Sequence, residues 1–147
     1  YNKLVKKEIK SKNPPFYVEV KFPADLKMLA FLRNGIYNLL KQKPEIGEKT
    51  ARRAQVITDE LSTNAIQHGS EKNKEIEFTL KYTPNKKIEI TVKDQGRKKT
   101  KSPERKKTPE DKKIHGRGLT IVKSWSHKFK ITKTKTGGTK AQSTIKL

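Results

Sequence analysis

The chain has 147 residues, enough for one domain with its own core, and it has no cysteine, which excludes disulfides, thiolate catalysis and cysteine-based zinc sites. Its 36 Lys and Arg against 15 Asp and Glu give a formal charge of +21 at pH 7, a field that draws phosphates, nucleic acids, anionic lipids or acidic proteins. Only 31% of the residues are hydrophobic, so the core must be economical, and no apolar run approaches the ~20 residues of a bilayer span.

Residues 1–13 are polar and lysine-rich and read as a loose basic arm, which leaves 14–147 as a single domain. Phe16, Val18, Val20 and Phe22 alternate with Tyr17, Glu19 and Lys21, the period of a half-buried strand that Pro23 ends. Asp25 precedes Leu26, Leu29, Ala30, Ile36, Tyr37 and Leu40, whose spacing predicts a helix ending near Lys43, before Pro44 and Gly47. A second helix is predicted over Glu48–His68, with Ala54, Ile57, Leu61 and Ala65 as its apolar stripe and Gly69 as its C-cap. Strands are predicted over Lys74–Tyr82 and Lys87–Lys93, joined by the turn Thr83-Pro84-Asn85-Lys86.

Residues 97–113 hold no apolar side chain and carry nine Lys or Arg against three acids, which predicts a loop. A short helix follows through Leu119, Ile121, Val122 and Trp125. Two last strands, near Lys128–Thr134 and Thr139–Leu147, meet at Gly137-Gly138. The order β-α-α-β-β-loop-α-β-β predicts an α+β fold, a two-layer sandwich with helices on one face of a mixed, mostly antiparallel sheet.

Four short stretches carry chemistry. Glu60 and Asn64 lie four apart and share a helix face, beside the apolar stripe at a half-buried boundary. A carboxylate there can polarise a hydroxyl or a water, and a carboxamide oxygen can hold Mg²⁺ without adding charge. Asp94-x-Gly96 ends a strand with an acceptor for an exocyclic amine and a glycine that lets a ligand approach the backbone; it is equally an ordinary turn. Gly116-Arg117-Gly118 opens a helix after a loop, an arrangement that suits phosphate or a plain hinge. Gly137-Gly138-Thr139 alone reads as a hairpin turn.

Together, and in this order, the stretches Glu60-Leu-Ser-Thr-Asn64-Ala-Ile-Gln-His68-Gly69, Asp94-Gln-Gly96, Gly116-Arg-Gly118-Leu119-Thr-Ile-Val122 and Gly138-Thr139 resemble the GHKL (Bergerat-fold) ATPase superfamily. Within it they are most similar to the RsbW-like anti-sigma-factor serine/threonine kinases. Phe22-Pro23-Ala24 and Phe31-Leu32-Arg33 share that likeness, which covers residues 16–147.

The resemblance implies ATP and Mg²⁺ as ligands. Glu60 would be the general base, Asn64 the Mg²⁺ ligand, Asp94 the acceptor of the adenine amino group, and Gly96 the point of purine approach. Residues 97–115 would form the ATP lid. Gly116, Arg117, Gly118 and Leu119 would lie at the phosphates, and Thr139 would help hold adenine. His68 fits the pattern in a structural role, and Arg33 lies where the group meets partners. The implied protein is a bacterial cytoplasmic kinase in partner switching, phosphorylating a STAS-type anti-anti-sigma protein and binding a sigma factor, in a group that commonly forms homodimers and has no membrane segment. Arg97-Lys98-Lys99 depart from the small or aromatic residues usual after Asp-x-Gly.

Two other readings stand beside it: a nucleotide-gated binding module without phosphoryl transfer, and a nucleic-acid-binding protein that uses the basic charge. The last is disfavoured because the lysines are spread along the chain and the aromatics fall at core-like positions.

Overall fold

A computed structural model of the chain describes residues 14–96 and 118–147. The N-terminal arm, the expected lid, Gly116 and Arg117 lie outside the described residues.

Strand β1 (Phe16–Pro23) exposes alternate residues and turns Phe16, Val18, Val20 and Phe22 to the core. The chain then bends at Asp25, whose Oδ1 accepts from the Lys27 N–H at 3.0 Å and whose carbonyl accepts from the Met28 N–H at 3.1 Å. This local anchoring starts α1 at Met28 rather than Leu26. Helix α1 (Met28–Lys41) buries Leu32, Ile36 and Leu40; Leu26 stays in the preceding turn, half exposed. Helix α2 (Glu48–Asn64) follows, capped by Gly47, and buries Ala51, Ala54, Ile57 and Leu61 against α1 and the sheet.

Helix α2 does not run on as a regular helix to His68. Residues Ala65–Gly69 form one wide π-turn, closed by the Ser70 N–H donating to the Ala65 carbonyl at 3.0 Å. Turns of this kind are rare and recur at functional sites. Gly69 is not a left-handed cap: the residue after the turn is Ser70, extended at φ −124.

Strands β2 (Glu75–Thr83) and β3 (Lys87–Lys93) form a hairpin whose turn puts Asn85 at φ 61. A helix, α3, spans 118–125 and buries Val122. Strands β4 (Lys128–Lys133) and β5 (Thr139–Lys146) form the second hairpin. The five strands lie in the order β1-β2-β3-β5-β4, and all four pairings are antiparallel. The last strand in sequence thus sits inside the sheet, and its start is brought beside the end of β3.

Alternate residues of β2, β3 and β5, including Phe78, Leu80, Ile88, Ile90 and Ile145, join the helices in one core. Each fully buried side chain of this size contributes about 1.5–3 kcal/mol. The predicted two-layer α+β fold is the one observed.

Candidate nucleotide site

The site lies where three chain segments meet at one end of the sheet. Asp94 follows β3, and its backbone pairs with the start of β5 through the Asp94 N–H and the Thr139 carbonyl at 3.0 Å. Asp94 is nine-tenths buried. Oδ1 accepts two backbone N–H groups, from Gly96 at 3.0 Å and from Thr139 at 2.9 Å. Oδ2 lies against Gly69, so closely that a Cβ on Gly69 would overlap the carboxylate. Ser70 completes the junction, with its Oγ accepting from the Gln95 N–H at 2.9 Å and an isolated parallel bridge to Gly96. Gly96 has φ +78, and a Cβ there would come within 2.5 Å of the Gly137 carbonyl oxygen, so only glycine suits it.

This junction forms one wall of a cleft of about 310 Å³, a volume within the range of small-ligand sites, about 300–1,000 Å³. Asn64, His68, Asp94 and Thr139 supply its polar edge. Leu61, Val92, Leu119, Ile131 and Ala141 supply apolar walls. Ile131 is 48% exposed, an apolar side chain left open at the mouth of the cleft.

Glu60 stands on α2 one turn before Asn64 and is half-buried. Its Oε2 packs on the start of α3, where a Cβ on Gly118 would overlap it. Burial pushes the Glu60 carboxyl above the ordinary carboxylate range, and the neighbouring Asp59 carboxylate adds to that rise. Asp59 is itself paired with Arg33, Nη1 to Oδ1 at 3.4 Å. Arg33, expected at a partner surface, thus reaches the carboxylate next to the expected base.

The structure therefore brings Asn64, Asp94, Leu119 and Thr139 together on one cleft. Gly96 backs it through Asp94, and Glu60 and Gly118 touch each other beside it. Of the apolar walls the sequence pointed only to Leu119, although the period-two alternation of β3, β4 and β5 sets Val92, Ile131 and Ala141 on one face of the sheet. It also missed the true part played by Gly69. Gly69→Ala is expected to lower both the melting temperature and nucleotide affinity. The methyl must displace Asp94 or the π-turn, an overpacking that costs about 1–3 kcal/mol; thermal denaturation with and without ATP checks this.

The fit to Mg²⁺ rests on Asn64. Its carboxamide makes no capping bond to the π-turn it precedes and lines the cleft. Among the described residues no group of three or more His, Cys, Asp or Glu could form a metal cage. A magnesium carried on nucleotide phosphates needs only one or two protein ligands and keeps several waters.

Among the described residues no helix is long and apolar enough to cross a membrane. A search of curated proteins finds no match. Among solved structures, the chain resembles one comprising the RsbU and RsbW domains of Rv1364c from Mycobacterium tuberculosis, with TM-score 0.65 and 17% identity over 90% of this chain. The chain spans 32% of the length of that protein. The blue-light activated histidine kinase EL346 of Erythrobacter litoralis gives TM-score 0.48 and 16% identity, covering 80% of this chain and 41% of that one. The first of these likenesses concerns the fold. The model of the histidine kinase-like ATPase domain matches residues 22–144, a span that runs from the end of β1 into β5 and takes in every residue lining the cleft, and the chain belongs to that family.

Proposed function

We propose that this ATP-binding domain is a protein serine/threonine kinase that acts as an anti-sigma factor in the bacterial cytoplasm. Its substrate is a STAS-type anti-anti-sigma protein, and its alternative partner is a sigma factor. The observation that carries this reading is the convergence of Asn64, Asp94, Leu119 and Thr139 on one cleft with apolar walls, with Glu60 seated beside it against Gly118.

The apolar walls suit a flat purine, and the Asp94 carboxylate on the same cleft would accept from its amino group. Asn64 would hold Mg²⁺, which when bound neutralises phosphate charge. Glu60 would take the proton from the acceptor hydroxyl as its oxygen bonds to the γ-phosphorus and the bond from that phosphorus to the β-phosphate oxygen breaks, releasing ADP. Phosphoryl transfer depends mostly on positioning and charge neutralisation, so a small domain with one base and one metal ligand suffices. Nucleotide state and acceptor phosphorylation would then decide which partner is held, a linkage of two binding equilibria.

The test is incubation with γ-labelled ATP, Mg²⁺ and a STAS-type protein. Acid-stable label is expected on the acceptor and absent from an acceptor whose target serine is replaced by alanine. Acid-labile label would indicate phosphohistidine chemistry instead. ATP binding by calorimetry without any labelled product would assign the chain to nucleotide-gated binding alone.

A further inference from the structure

The face of the sheet turned away from the helices is not uniform in charge. On its β1–β2–β3 side, unlike charges face each other across the strands: Lys21 with Glu77, Glu77 with Lys93, and Lys81 with Glu89. On its β3–β5–β4 side, lysine faces lysine, Lys87 opposite Lys146 and Lys93 opposite Lys140. Like charges directly opposite on one face destabilise a sheet, so this half carries a strain that the other half avoids. Lys128 and Lys130 of β4 extend it, paired with Thr144 and Gln142 rather than with acids.

The result is a groove of about 570 Å³ lined by Lys86, Lys87, Lys128, Lys130 and Lys146, with Glu89 as the one acid among the described residues. Glu89 is engaged by Lys87 at 3.3 Å. These lysines are dispersed in sequence, yet strand alternation and the inward position of β5 gather them in space.

We propose that this face docks the phosphate backbone of a nucleic-acid duplex without reading its bases. Among the described residues no aromatic side chain lines the groove for stacking on splayed bases, which disfavours a single strand. Lysines act as point charges toward phosphate. An extended acidic polypeptide, at about 3.3 Å per residue, offers at most half the linear charge of a duplex, which carries one charge per ~1.7 Å. An anionic membrane would call for apolar anchors, and among the described residues no apolar side chain lines the groove. This inference is independent of the kinase reading, because none of these lysines lines the nucleotide cleft.

The experiment measures binding of the full chain to a short fluorescent mixed-sequence DNA duplex by anisotropy, between about 50 and 200 mM salt. The triple variant Lys128→Gln/Lys130→Gln/Lys146→Gln is compared with Lys27→Gln/Lys49→Gln/Lys72→Gln, which removes the same charge from exposed positions outside the groove. The groove variant is expected to lose about 0.9 of the log–log salt slope per phosphate contact, close to 2.7 in all, while the control keeps the wild-type slope. Both variants should keep wild-type ATP affinity and circular dichroism. Equal loss in the two triple variants would assign the binding to diffuse charge and overturn the proposal. So would the absence of duplex binding at low salt, or saturation of this face by poly-glutamate or anionic vesicles but not by duplex.

Discussion

Asp94→Ala is expected to weaken ATP binding by about 100-fold, whereas Asp94→Asn weakens it by at least about 10-fold with a smaller loss of stability. The alanine variant removes the proposed acceptor for adenine and leaves the N–H groups of Gly96 and Thr139 without their Asp94 partner. A hydrogen bond to a charged group contributes about 1.5–3 kcal/mol, and each buried group left unpaired costs about 1–3 kcal/mol. The loss of the ligand contact alone converts to roughly 10- to 100-fold or more in affinity. The asparagine variant separates the two roles. Both backbone donors require an oxygen at the Oδ1 position, so the amide must turn its nitrogen to the Oδ2 position beside Gly69. There an NH₂ group meets the adenine amino group donor to donor, while the 6-oxo group of guanine would be accepted. Asp94→Asn should therefore narrow or invert the preference for ATP over GTP, as titration calorimetry with both nucleotides would show. Unchanged ATP affinity in the asparagine variant would remove Oδ2 from base recognition.

The element order and the sheet were legible because they are written in periodicity. Alternation in β1, β2 and β3 and the glycine at 137, observed at φ +87, fixed strands and turns within a residue or two. The half-buried placement of Glu60 and Asn64 was legible for the same reason, since a helical wheel sets both beside the stripe that packs. The π-turn was not legible. The local sequence of Ala65–Gly69 suits a helix ending in a glycine cap as well as one that widens, and the tight packing of Gly69 on the Asp94 carboxylate, 25 residues away, is a contact no local pattern records. The start of α1 failed in a different way. Leu26 fits the apolar spacing, but the side chain and carbonyl of Asp25 hold the turn before the helix. The basic groove was hidden by distance in sequence, because it is assembled from β3, β4 and β5 only once β5 inserts between the other two.

Glu60→Gln is expected to retain ATP affinity and to lower phosphoryl transfer by about 10²- to 10⁴-fold, the range of a general base. Glutamine keeps the shape that packs on Gly118 and one carbonyl acceptor, but it cannot take a proton. The pH dependence follows from the environment of the carboxyl. Burial first, and Asp59 second, raise the folded-state pKa above the unfolded one. The base form therefore appears only as pH passes through this raised value, and the transfer rate of the wild type should rise through an inflection above the usual ~4.3 of glutamate. Asp59→Asn removes the second cause and should move the inflection down. Stability runs the opposite way. The protonated carboxyl favours the fold, so its contribution is complete below the unfolded pKa and is lost as pH rises through the folded pKa. Glu60→Gln should melt higher than wild type near neutral pH, with the gap closing below the unfolded value of about 4.3. The rate profile is what separates the proposed base from a packing carboxylate, because burial and Asp59 raise the pKa in either role. Equal transfer rates for Glu60→Gln and wild type would leave this helix face with metal binding and no proton transfer.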